Sequence, residues 1–141
     1  MELSAAWTMT LEVEIGPGTV LGPTLSGTTT IIPITGGKVE GPGWRGRILP
    51  GGADQNTLLL DGFTEFSARY QFVTEEGTLV SVFNEGVTLA DLSKSLIKTR
   101  PTFLVDASSP LGHLLHGIHI GTLDISSIDR GLVVVGIYRL P

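Results

Sequence analysis

Trp7-Thr8-Met9-Thr10-Leu11-Glu12-Val13-Glu14-Ile15 alternates without a break, apolar at every odd position and polar at every even one. Successive side chains of an extended strand point to opposite faces, so this stretch predicts a strand with one face buried and one wet. The same period returns along the chain. Strands are expected over 27–35, interrupted by Pro33, then over 44–49, 63–74, 78–85, 102–106, 117–126 and 131–140. A proline inside a strand fits an edge or a bulge, because it cannot donate to the ladder. Asp61-Gly62, Glu76-Gly77 and Asp129-Arg130-Gly131 mark turns between the runs.

Nineteen glycines and eight prolines among many short strands predict an all-β fold, an antiparallel closed or nearly closed β-barrel, as one domain over 1–141. One short helix is expected beside it. Thr88 suits an N-cap, Asp91 follows three residues later, and Leu89, Leu92 and Leu96 make one apolar stripe. Lys94 and Lys98 fall toward the C-terminal end, where the helix dipole favours cations, and Pro101 stops the run. Such a helix would cover one end of the barrel.

Composition narrows the function. A chain of 141 residues buries about 68–70% of its unfolded surface and supports one core. Charged residues make up 16%, hydrophobic residues 41%, and mean hydropathy is +0.29, an apolar balance that points to a pocket or a subunit interface. Net charge is −5 and no basic stripe exists, which argues against nucleic acid. There is no cysteine, so neither disulfide nor thiolate chemistry is available. The first residues lack the basic and apolar regions of a signal peptide, and no apolar run approaches the roughly 20 residues of a membrane helix. A soluble cytoplasmic protein is expected, with no membrane partner.

Gly41-Pro42-Gly43-Trp44-Arg45-Gly46 matches G-x-G-x-x-G but lacks the preceding strand and following helix that hold a pyrophosphate. Thr35-Gly36-Gly37-Lys38 is only a fragment of a phosphate loop, and no G-x-S-x-G elbow occurs. His113, His116 and His119 are spaced by three, and three imidazoles can hold zinc. Gly112 and Gly117 interrupt regular helix around them and no acidic residue adjoins them, so no metal site is assigned.

The candidate site begins at Leu49-Pro50-Gly51-Gly52-Ala53-Asp54-Gln55, where a proline and two glycines impose an irregular backbone just before an Asp. Strand 63–74 then carries Phe63, Glu65, Ser67, Arg69 and Gln71 on one face and Thr64, Phe66, Ala68, Tyr70 and Phe72 on the other. Leu79, Ser81, Phe83 and Glu85 divide in the same way from Val80, Val82 and Asn84. Two readings stand: the polar face is solvated, or it lines a barrel that holds a ligand. In the second, Arg69 needs a carboxylate, with Asp54, Glu85 and Glu65 as candidates.

At these residues the chain resembles a family of small β-barrel proteins known as a domain of unknown function. The matching elements are Gly22-Pro23, Pro33-Ile34-Thr35-Gly36-Gly37, Glu40-Gly41, Leu49-Pro50-Gly51-Gly52-Ala53-Asp54, Asp61-Gly62, Ala68-Arg69-Tyr70, Asn84 with Gly86, and Thr99-Arg100-Pro101-Thr102-Phe103. Pro-Gly-Gly-Ala-Asp is the most specific of these. Leu114-Leu115-His116 departs from the aromatic Trp-Leu-Asn usual in the family, which alters a pocket wall.

The resemblance implies a barrel that often assembles as a homo-oligomer. Fungal members resemble cyclases of polyketide (phenalenone-type) biosynthesis, which add a phenol hydroxyl across an alkene to form a cyclic ether. The expectation is therefore a cofactor-independent cyclase or isomerase acting on a small apolar or aromatic substrate. Such a reaction needs a proton donor, a group that orients the phenol, and a dry cavity. The implied catalytic residues are Asp54 as acid, Arg69 holding an oxygen, and Tyr70, Glu85 or His116 in a proton relay; Tyr70, Trp44, Phe83 and Asn84 would bind substrate. The rival reading is a non-catalytic small-molecule binding barrel, and a third is a metal-dependent enzyme built on His113, His116 and His119.

Overall fold

The computed structural model describes residues 1–89 and 96–141. Its strands are β1 (Ala6–Ile15), β2 (Thr19–Leu21), β3 (Gly27–Gly41), β4 (Trp44–Ile48), β5 (Gly52–Leu59), β6 (Thr64–Thr74), β7 (Leu79–Thr88), β8 (Ile97–Val105), β9 (His119–Asp124) and β10 (Leu132–Arg139). All pair antiparallel. β1 pairs with both β10 and β3, which closes the sheet into an eight-stranded barrel. Closure leaves the barrel proper without a free edge.

Ten strands make eight lanes because two lanes are broken. β2 continues the lane of β1 alongside β3. β4 and β5 likewise form one lane, since both pair with β3 on one side and β6 on the other. The irregular backbone expected at Pro50-Gly51-Gly52 is present, as a turn at Pro50-Gly51 between the two strands. The chain does not reverse there; it bulges and goes on in the same direction. Gly51, with φ of 110°, takes the backbone angle that a residue with a Cβ resists.

Alternation decides which face is interior. On β1, Met9, Leu11 and Val13 are buried, and on β6 Phe66, Tyr70 and Phe72 are. Between Trp7 and Val13 on β1, and between Tyr70 and Thr74 on β6, the fully buried Met9, Leu11 and Phe72 fill the waist with Val80, Val82 and Ile137. Burying side chains of this size yields about 1.5–3 kcal/mol each, which outweighs any gain from turning the polar face of β6 inward.

The dinucleotide-like glycine pattern is a hairpin. Gly41 pairs with Trp44, and Pro42-Gly43 is the two-residue turn joining β3 to β4. The expected helix between Thr88 and Lys98 rests mainly on residues 90–95, which lie outside the described residues. Its flanks are extended, because Thr88 closes β7 and Lys98 belongs to β8. Among the described residues, helical turns occur only at Gly112–Leu115 and Ile128–Arg130, both 3-10. No helix there is long and apolar enough to cross a membrane.

Candidate functional site

Register puts Asp54, Ala68 and Asn84 in one row across β5, β6 and β7, all on the interior face. Ala68 is the shortest side chain of that row and stands between Phe66 and Tyr70 on β6. The space it leaves is the heart of a cavity lined by Asp54, Phe66, Ala68, Tyr70, Asn84 and Thr99, together with aliphatic side chains of β1, β3, β9 and β10. The room for the centre of a water molecule is about 30 Å³. One ordered water needs roughly 10–15 Å³ on that measure, so the cavity admits a water or two, or the compact end of a larger ligand.

Electrostatics single out Asp54. Burial in this apolar lining pushes its carboxyl from 3.8 up to about 6. A carboxyl loses hydration when buried, which disfavours its charged form. Its close polar neighbour is Asn56, two residues along the same strand face. With its amide nitrogen turned toward the carboxylate, Asn56 donates to both oxygens at 3.0 and 3.1 Å. That contact offsets part of the burial cost in the ionised state. Turned the other way, the amide oxygen faces the carboxyl and accepts the proton of the acid form, so one amide rotation serves both protonation states.

Three further polar atoms face this space without a hydrogen-bond partner: the Tyr70 hydroxyl, Asn84 Oδ1 and Thr99 Oγ1. All three residues are buried, at 2%, 4% and 4% exposure. Burial, followed by the nearby Asp54 charge, holds the Tyr70 phenol well above its usual range, so it stays protonated and can donate. Buried polar atoms are nearly always paired in folded proteins. Three orphans around one cavity describe a site shaped for something that brings its own polar atoms.

Not every expected site residue comes here. Asp54, Tyr70 and Asn84 do. Arg69 does not: it follows Ala68 on β6, points to the outer face, and lies over the Phe83 ring at 4.4 Å. Phe83 is therefore an outer residue too. Glu85 is also outside, 3.8 Å from Arg100 on the neighbouring strand. The reading that the polar face of β6 lines the barrel, with Arg69 paired to Asp54, is corrected. An unpaired guanidinium inside would cost several kcal/mol, whereas outside it keeps its water.

Trp44 stacks on Phe72 with centroids 5.7 Å apart and planes 10° apart. It lines a different space, a cleft of about 470 Å³ at the other end of the barrel with Trp7, His113 and Arg139. His116 is exposed after the 3-10 turn, whereas His119 is buried on β9, edge-on to Phe103 at 5.3 Å. Burial first, then the Arg139 and His113 charges, lowers the His119 pKa. The three histidines thus do not converge, and among the described residues no cluster of three His, Asp or Glu side chains could hold a metal ion. The cleft is larger, but the smaller cavity holds the shifted carboxyl and three of the orphaned atoms. Chemistry favours the smaller one.

Sequence reasoning missed Thr99, Ala68 and Asn56. Thr99 was legible in the alternation Ile97, Thr99, Pro101, Phe103, which continues the expected strand 102–106 backward. Asn56 was hidden because β5 was not expected at all.

The sequence profile of a family described as "Protein of unknown function (DUF3237)" matches residues 2–140. A UPF0311 protein of Rhodopseudomonas palustris (strain TIE-1) is 38% identical over 85 residues, 60% of this chain and 56% of that protein. A UPF0311 protein of Clostridium acetobutylicum is 39% identical over 61 residues, 43% of this chain and 39% of that one. The match to the Rhodopseudomonas relative thus spans little more than half of its length. Among solved structures, a conserved protein of unknown function from Rhodopseudomonas palustris superposes with a TM-score of 0.86 at 27% identity, covering 100% of this chain and 99% of that chain. A structure described as an enzyme from Penicillium herquei superposes with a TM-score of 0.77 at 18% identity, covering 100% and 96%, a likeness of fold alone.

Proposed function

The chain belongs to the DUF3237 family, and from that premise we propose that it is a cofactor-independent cyclase or isomerase in which Asp54 is the general acid. The observation that carries this reading is a carboxyl in an apolar cavity with its pKa raised to about 6. Such a group is protonated at mildly acidic pH, keeps a protonated fraction toward neutrality and can still release its proton, the balance a general acid needs. The fold shared with a Penicillium herquei chain described as an enzyme is compatible with catalysis on this scaffold.

In the proposed reaction the Asp54 proton goes to one alkene carbon of the substrate. The substrate's own hydroxyl oxygen bonds to the other carbon as positive charge develops there. The hydroxyl proton then returns to the Asp54 carboxylate, so the step is a net isomerisation to a cyclic ether. The aliphatic lining keeps water from capturing the cation-like centre. Asn56 steadies the carboxyl in both protonation states, and the Tyr70 hydroxyl helps to hold the substrate in place. Only the reacting end of the substrate enters, given a cavity of about 30 Å³.

The test is turnover of 2-prenylphenol to its cyclic ether, followed by mass spectrometry with chiral chromatography. Wild-type protein is expected to accelerate closure, and Asp54→Asn to lose about 100-fold or more of that rate, the usual worth of a positioned acid. Equal rates in the two proteins would refute the acid role. The small cavity volume favours one rival, a barrel that binds a small molecule and returns it unchanged; ligand recovered unaltered, with no closure by wild type, would support that rival.

A further inference from the structure

The partnerless atoms of the cavity differ in kind. Asn84 Oδ1 can only accept a hydrogen bond, whereas the Thr99 and Tyr70 hydroxyls each bring a proton to give. They come from three neighbouring strands, β7, β8 and β6, and line one cavity on either side of the Ala68–Asn84 row. Gly121 of β9 pairs with Thr99, and a Cβ there would collide with Thr99 Oγ1 and come within 3.5 Å of both amide atoms of Asn84. Glycine at that position leaves room for the Thr99 hydroxyl and the Asn84 amide against β9.

We infer that the Tyr70–Asn84–Thr99 cluster is a recognition site for a compact hydroxy-carbonyl group. The ligand hydroxyl donates to Asn84 Oδ1, and the adjacent carbonyl oxygen accepts from the Thr99 and Tyr70 hydroxyls. A ligand with only one of the two functions leaves part of the cluster unpaired, and a purely apolar one leaves all of it so. Discrimination therefore comes from the cost of orphaned polar atoms more than from the bonds gained. The inference rests on the acid reading only for location, since it names which end of a substrate lies beside Asp54.

Hydroxyacetone, with acetone and 1-propanol as single-function controls, is the probe, titrated against isotope-labelled protein by NMR. Hydroxyacetone is expected to bind about tenfold more tightly than either control, the value of one properly made hydrogen bond in this setting. In Thr99→Val and in Asn84→Leu that preference should fall to about threefold or less, and Thr99→Ser should restore it. Thr99→Val should also raise the melting temperature of the unliganded protein, because it deletes an orphaned hydroxyl without changing shape. Equal affinities for the three probes in the wild type, meaning a cavity that holds only water, overturn the inference. So does a preference that survives both substitutions. Asp54→Asn should leave the preference intact while losing turnover, so a failed acid role and a failed recognition site give different results.

Discussion

Asp54 and Arg69 occupy adjacent register positions of paired strands, β5 and β6, yet stand on opposite sides of the barrel wall. Asp54 is opposite Ala68 and faces in, while Arg69 is opposite Ala53 and faces out over Phe83. Arg69→Ala is therefore expected to leave turnover and ligand affinity within about twofold of wild type. It should cost about 0.5–1 kcal/mol of stability, the worth of an exposed cation–π contact. Denaturant melts read beside kinetics check this, and loss of activity with retained fold would reverse the assignment.

The pH dependence of stability follows from Asp54. Its folded pKa, about 6, lies above the ordinary 3.8, so between those values the folded protein binds more protons than the unfolded one. Stability from this group is full below about pH 4 and falls as pH rises to about 6, by up to about 3 kcal/mol before the Asn56 contact is allowed for. Asp54→Asn should flatten that decline and be the more stable protein at pH 8. Melting curves from pH 4 to pH 8 test it; parallel profiles for the two proteins would mean that Asp54 is not buried in this way.

Activity should follow the same titration on the alkaline side of the pH profile. Turnover that uses the Asp54 proton is expected to drop about tenfold per pH unit above about pH 6. A rate independent of pH from 6 to 9 would count against the acid.

Ala68 is the gap in the row, and filling it should close the site. Ala68→Leu adds a side chain pointing into the cavity without removing a polar group. Loss of ligand affinity by tenfold or more is expected, with a stability change no larger than the about 1–3 kcal/mol typical of overpacking. Unchanged binding would place the ligand elsewhere, the Trp7–Trp44 cleft being the next candidate.

Gly51 in the bulge and Gly52 at the start of β5 should respond differently. A Cβ on Gly51 meets nothing within 4 Å, so Gly51→Ala carries only the backbone cost of its positive φ, about 1–2 kcal/mol. A Cβ on Gly52 would lie 2.5 Å from Tyr70 Cβ and 2.7 Å from the Arg69 carbonyl oxygen. Gly52→Ala should therefore move Tyr70 and weaken ligand binding, while Gly51→Ala should spare it. Paired melts and titrations separate the two.

Much of the barrel was legible in the alternation of single strands. β1 and β6 declare an apolar face, and that face is inside. β5 was not legible, because a bulge and a turn draw on the same residues, and only the pairing partners of Gly52–Leu59 tell them apart. The Asp54–Arg69 pair failed for a related reason. Residue type made it attractive, but Phe66, Tyr70 and Phe72 compete for the same interior and win on buried area. Thr99 was missed because Pro101 read as a stop for a helix, whereas it sits within β8 opposite Asn84. Orphaned hydrogen-bonding atoms leave no trace in a sequence, since partnership belongs to three dimensions.

The bulge at 49–51 also sets a reading frame for the wall. Relative to β6, the β4–β5 lane carries two extra residues, as Ile48 pairs with Phe72 and Ala53 with Arg69. An even surplus preserves which side chains look inward. Losing one residue there would turn β5 over, sending Asp54 and Asn56 to solvent and Ala53 and Gln55 to the interior. Losing two would restore the order. A change in length at one short segment can thus switch the interior chemistry on or off while every side chain of the candidate site remains spelled out in the chain.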